Sequence, residues 1–163
     1  KHQADHFQWH FIGHLQSNKV RKIVGLFDLI HSVDRMSLIK ELEKRCGREG
    51  IVQPVLLQVN CSGEESKYGA DPDDAADLAE EILQRESITL RGLMTMAPWT
   101  DDESVIRQTF SDCRSLRDKL QKQFDCELPV LSMGMTNDYR IAIEEGSTML
   151  RLGRALFGER PET

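Results

Sequence analysis

The chain of 163 residues has no apolar run of the roughly 18 residues that a membrane-spanning helix needs. It has no basic excess either. Its 21 Lys and Arg are outnumbered by 27 Asp and Glu, giving a net charge of -6. That balance argues against a nucleic-acid surface, which carries a basic stripe. None of the four cysteines, Cys46, Cys61, Cys113 and Cys126, sits at CxxC spacing, and no HExxH or Cys/His cluster occurs. A structural zinc site is therefore not expected. There is no apolar leader-type segment in Lys1-His2-Gln3-Ala4-Asp5-His6. Free thiols and a cytoplasmic compartment are the expectation. A GxGxxG turn, a Walker loop and a GxSxG elbow are all missing, and no Ser/His/Asp triad or catalytic carboxylate pair can be assembled from the spacing.

His2, His6, His10 and His14 recur every four residues. On a helix they would form a metal-binding stripe. Residues 9–13 read as a strand, so the row does not keep to one face and no metal is assigned.

What is present is alternation. Trp9-His10-Phe11-Ile12-Gly13, Leu29-Ile30-His31-Ser32-Val33, Val55-Leu56-Leu57-Gln58-Val59-Asn60, Thr89 to Met96, Pro129 to Met133 and Thr148 to Leu152 read as six strands. Helical patterns separate them. Ser17 is expected to cap the first helix and Ser37 the second, with Gly47 or Gly50 ending it. Asp71-Pro72 opens the third, and a long amphipathic helix starts near Asp102. A short helix starts at Thr136 or Asn137 and stops at Gly146. Repeated strand–helix units predict an α/β fold with a parallel sheet and no internal linker.

Two architectures fit, an open doubly wound sheet or a (β/α)8 TIM barrel. The open sheet asks for a Gly-rich turn after its first strand, and Gly13-His14-Leu15-Gln16 is not one. In the barrel a phosphate commonly sits at the last two strand ends. Here Ser132-Met133-Gly134-Met135-Thr136-Asn137-Asp138 and Leu150-Arg151-Leu152-Gly153-Arg154 end the last two strands in glycine and polar residues. The barrel is favoured. Six strands are two short of eight, so a partial barrel of strands 3–8, with two N-terminal units absent, is expected.

Arg151 interrupts an apolar strand, where an unpaired guanidinium is costly. It either pairs with a carboxylate such as Asp138 or meets a polar ligand, and Gly153 beyond it permits close approach. Ser132 and Gly134 are small residues at a strand end that suit an anion. Asn60 is either a turn former or a side chain at the barrel mouth. Met94 and Met96 read as core, although Met94 could line a flat ring. Lys67 lies among acids and reads as a surface ion pair.

Trp9-His10-Phe11-Ile12-Gly13-His14-Leu15-Gln16-Ser17-Asn18-Lys19 resembles the signature of the pyridoxal phosphate homeostasis protein family, single-domain barrels that bind pyridoxal 5'-phosphate (PLP). Ser32-Val33-Asp34, Gln58-Val59-Asn60, Glu65-Ser66-Lys67-Tyr68-Gly69, Arg91-Gly92-Leu93-Met94, Leu131-Ser132-Met133-Gly134-Met135 and Arg151-Leu152-Gly153 follow in the family's order. The resemblance implies a barrel of the alanine racemase N-terminal type over residues 1–163. It implies a phosphate held by Ser132 and the backbone of Met133 and Gly134, with Gly153 and Arg154. Arg151, Asn60 and Met94 are implied near the ring. A Schiff-base lysine at the end of the family's first strand is expected upstream of this segment. The implied role is non-catalytic PLP binding in intracellular PLP homeostasis, with PLP-dependent apo-enzymes as recipients and no nucleic-acid or membrane partner. The alternative is a small fold-type III PLP-dependent racemase or decarboxylase-like enzyme. With the sequence ending at Thr163, the C-terminal β-domain of the racemases is not expected.

Overall fold

A computed structural model describes residues 7–64 and 67–158. His2, His6, Glu65, Ser66 and the readings of the two chain ends lie outside the described residues.

Six strands form one sheet: β1 (His10–Phe11), β2 (Leu29–Val33), β3 (Gln53–Gln58), β4 (Ile88–Met94), β5 (Val130–Met135) and β6 (Met149–Arg151). Every neighbouring pair is parallel, and the spatial order is the chain order, β1-β2-β3-β4-β5-β6. That order decides between the two architectures. A doubly wound sheet reverses direction at a switch point, and this one never does. With right-handed crossovers throughout, all the helices fall on one face. The other face stays free to curve around an interior, giving six strands of a barrel wall.

The helices are α1 (Met36–Glu49), α2 (Ala75–Leu83), α3 (Glu103–Phe124), α4 (Tyr139–Glu144) and α5 (Arg154–Phe157). α3 shows why the sequence folds this way. Asp102 caps it by accepting the Ser104 N–H, worth about 1 kcal/mol. Ile106, Phe110, Cys113 and Leu120 form its buried stripe, and Asp125 ends it in the left-handed region. The main core lies between sheet and helices and includes Ile30, Leu57, Leu93 and Leu131. A second, small cluster of Leu29, Leu56 and Met94 packs on the opposite, concave face with Met96, Val130 and Met149 beside it. All four cysteines are free.

Several boundaries differ from expectation. β1 is only two residues long, because beyond its pairing with Leu29 and Ile30 the chain is held by Asp28, whose carboxylate accepts the Trp9 N–H. Ser17 opens a 3-10 helix (Ser17–Lys22) with Gln16 at its cap and no side-chain cap bond. Ser37 does not cap α1. Arg35 takes that position in extended backbone, its guanidinium tied to Asp34 and to the Leu15 carbonyl. Gly50, rather than Gly47, closes α1 with φ 66°. β5 runs on to Met135, so α4 starts at Tyr139 with Asp138 at its cap position.

Candidate functional site

A cavity of about 1070 Å³ opens over the concave face, a volume suited to a small-molecule ligand. Its lining comes from β1, β2, the segments after β4 and β5, and β6 with the start of α5. Ile12, Met96, Trp99, Ile141, Met149 and Leu150 give it apolar walls. His10, His31, Asp138, Arg151 and Arg154 bring polarity.

Arg151 projects from the last strand. Its Nη1 donates to the Ser132 carbonyl (2.7 Å) and to Ser132 Oγ (2.8 Å), and its Nη2 donates to the Thr95 carbonyl (2.8 Å). All of these acceptors are neutral. No carboxylate touches the guanidinium among the described residues, and Asp138 acts on it only through space. Burial lowers the Arg151 pKa from its ordinary arginine value to about 10, with Asp138 and Cys113 opposing the change. The group therefore stays charged at neutral pH. It is a positive centre with no counter-charge in contact, facing a cavity.

Ser132 is fully buried, and its hydroxyl joins Arg151 to His31 Nδ1 at 2.9 Å. His31 Nε2 in turn lies 3.1 Å from His10 Nδ1. Burial, then His10, then Arg151 pull the His31 pKa down to about 3, so its ring is neutral. Four side chains from β1, β2, β5 and β6 thus form one polar chain across the concave face.

The remaining expected residues divide. Gly153 and Arg154 line the cavity. Arg154 lies over the Trp99 ring at 5.9 Å and within 3.5 Å of Asn137 Oδ1. Gly134 has φ +95°, and an added Cβ would fall 2.5 Å from the Ala142 side chain, so glycine is what lets α4 lie against β5. Met133 is buried in the sheet–helix core, and its carbonyl accepts from Ser147 Oγ. Met94 forms part of the floor cluster beneath the cavity and is absent from its lining.

One expectation is corrected. Asn60 is a turn former. Its Oδ1 accepts from the Ser62 N–H and hydroxyl, and its Nδ2 donates to the Glu64 carbonyl, so its polar atoms are consumed in its own loop, and it does not line the cavity. The N–H of Met135, at the tip of β5, is likewise taken by Asp138 Oδ1. Lys67 pairs with Glu64 as expected, at 3.1 Å, but it also donates to the Ala97 carbonyl and stands on the cavity rim.

His10, His31 and Thr95 were not anticipated. His31 carried a usable signal, a polar residue in the apolar strand Leu29-Ile30-His31-Ser32-Val33, by the same reasoning that singled out Arg151. No group of three metal-ligating side chains occurs among the described residues, and no described helix is long and apolar enough to cross a membrane.

The family model for the alanine racemase N-terminal domain matches residues 3–161. A pyridoxal phosphate homeostasis protein of Aquifex aeolicus is 46% identical over 153 residues, covering 94% of this chain and 67% of that protein. The structure of PipY from Synechococcus elongatus, with PLP bound, superposes with a TM-score of 0.85 at 37% identity, over 93% of this chain and 71% of that one. An alanine racemase of Clostridium difficile shares the fold at a TM-score of 0.78 with 15% identity, covering 97% of this chain and 42% of that one. This chain spans about two thirds of the length of the curated relatives it matches.

Proposed function

The chain belongs to the family of pyridoxal phosphate homeostasis proteins, built on the alanine racemase N-terminal domain, and from that premise we propose that it binds PLP without catalysing a reaction of its own. The observation that carries this reading is the half-buried Arg151 guanidinium, which is surrounded by neutral acceptors and faces a ligand-sized cavity. A ligand bringing electron-rich or anionic atoms balances that charge.

The residues present fit PLP in their chemistry. Of the five N–H groups of Arg151, three donate within the fold and two have no partner among the described residues, which leaves them for an acceptor on the concave face. The loops at residues 135–138 and 153–154 gather a guanidinium, Arg154, and small residues suited to a phosphate. Ile141, Met149, Leu150 and Met96 offer apolar faces to a ring. When bound, PLP supplies an aldehyde and an electron-withdrawing ring. If the ring nitrogen of a bound PLP met Arg151, the guanidinium, charged at neutral pH, would disfavour protonation there and weaken that electron sink. The site would thereby hold the cofactor in a form poorly suited to carbanion chemistry, which would suit storage and delivery to PLP-dependent apo-enzymes in the cytoplasm.

The test is an absorbance titration with PLP, followed by incubation of the loaded protein with amino acids in deuterated water. Saturable binding with no α-proton exchange above that of free PLP is expected. Transfer to an apo-enzyme is then read as recovered enzyme activity. Lack of binding overturns the ligand assignment, and enzyme-dependent exchange favours a racemase-type activity instead.

A further inference from the structure

The polar chain on the concave face has a fixed direction. Arginine can only donate hydrogen bonds. Arg151 Nη1 donates to Ser132 Oγ, so one lone pair of that oxygen is occupied. The hydroxyl proton of a fully buried serine needs an acceptor, and the other neighbour of Ser132 Oγ is His31 Nδ1 at 2.9 Å. His31 therefore accepts at Nδ1 and carries its single proton on Nε2. That proton points at His10 Nδ1, 3.1 Å away, which must accept it. His10 Nδ1 is thus left bare of hydrogen, and the His10 proton sits on Nε2. No described residue bonds that Nε2, and His10 lines the cavity. Each orientation along the chain follows from the one before it, and the first is set by a group that cannot reverse.

We propose that His10 is a ligand-binding residue, fixed as the Nε2–H tautomer by the Arg151–Ser132–His31 chain, and that it donates a hydrogen bond to an acceptor oxygen on the ring system of the bound cofactor. The identity of the ligand rests on the PLP reading above, whereas the tautomer does not. Arg151 and His10 stand at opposite ends of this chain, and both present donors. A ligand reaching between them needs acceptor atoms at both ends, as a pyridine ring with an oxygen substituent has. A group that donates at the His10 end meets an N–H that cannot turn round without reversing two hydrogen bonds and leaving the Ser132 hydroxyl proton without an acceptor.

Two-bond nitrogen–proton correlation spectra of the chain labelled with 15N-histidine test this. In the ligand-free protein, His10 and His31 are both expected to carry hydrogen on Nε2 and none on Nδ1, with His14 as an internal comparison. His10 found with its proton on Nδ1 overturns the chain. Adding PLP is expected to shift the His10 Nε2 resonance and leave its tautomer unchanged. PLP binding with no change at His10 overturns the ligand contact while leaving the proposed function standing. Absence of PLP binding overturns that function and with it the contact, and the ligand-free spectra still decide the tautomer. Substitution separates donor from bulk. His10→Gln, whose amide nitrogen lies as many bonds from Cα as Nε2 does, is expected to bind PLP within about 3-fold of the parent. His10→Phe is expected to lose about 5- to 10-fold. Equal affinity for the two variants overturns the proposal.

Discussion

Arg151→Met is the substitution that best separates a ligand-binding arginine from a structural one. Three hydrogen bonds from a charged donor suggest a large loss of stability, at about 1.5–3 kcal/mol each. The acceptors argue otherwise. The Ser132 carbonyl also accepts the Thr95 N–H at 3.1 Å, and Ser132 Oγ keeps His31. Of these acceptors only the Thr95 carbonyl loses its partner among the described residues, a penalty of about 1–3 kcal/mol. Against this stands the cost of holding the charge in the protein. Burial that brings the Arg151 pKa down to about 10 is equivalent to a penalty of about 3 kcal/mol, which methionine removes. The two contributions nearly cancel. Chemical denaturation is therefore expected to show a change within about 2 kcal/mol of the parent. PLP affinity, by absorbance titration, is expected to fall by about 10- to 100-fold through loss of a charged donor. A variant that loses more than about 4 kcal/mol of stability while binding PLP as the parent does refutes the reasoning.

His31 gives a pH signature. Its ring titrates near 6.5 when unfolded and near 3 when folded, with burial the largest cause. Between those values the unfolded chain takes up a proton that the folded one refuses. Its contribution is therefore full above about 6.5 and declines as pH falls, by about 1.4 kcal/mol per unit until the folded value is reached. His31→Asn is expected to flatten the dependence of denaturation free energy on pH between about pH 7 and about pH 5; parallel curves for parent and variant contradict this. Gly92 has φ +150°, and an added Cβ would lie 1.8 Å from the Val130 carbonyl oxygen, where β4 pairs with β5. Gly92→Ala is expected to cost more than about 3 kcal/mol or to leave the chain insoluble. Gly13→Ala, with nothing within 4 Å of the added carbon, is expected to stay within about 0.5 kcal/mol of the parent; equal melting of the two variants defeats the steric argument.

The strand–helix alternation was legible because apolar period and glycine punctuation are local signals. Six strands and four of the five helices could be placed from them, with α5 left out because four residues carry no period. The ends were less legible for reasons of contact. β1 shortens because Asp28 intercepts the backbone of Trp9, and the start of α1 is set by an Arg35 that reaches Leu15, 20 residues away. Neither partner is near in sequence. Asn60 had two readings, and the Ser62 and Glu64 backbone two and four residues ahead settled it as a turn.

The site was legible to the degree that its chemistry broke a local pattern. Arg151 stands out because a charge within Leu150-Arg151-Leu152 contradicts the apolar strand around it, and such a contradiction needs a cause elsewhere in the fold. His31 broke the pattern of its own strand in the same way, but a neutral imidazole is a weaker contradiction than a guanidinium, since it can be buried at far less cost. What no reading of the chain could supply is the bond between His31 and Ser132, 101 residues apart. It forms only because the sheet curves, bringing β2 and β5 to face each other across the concave side with β3 and β4 between them. Curvature therefore does more than enclose the cavity. It joins a residue that must donate to one that can only pass the proton on, and so decides which atom of His10 the ligand meets.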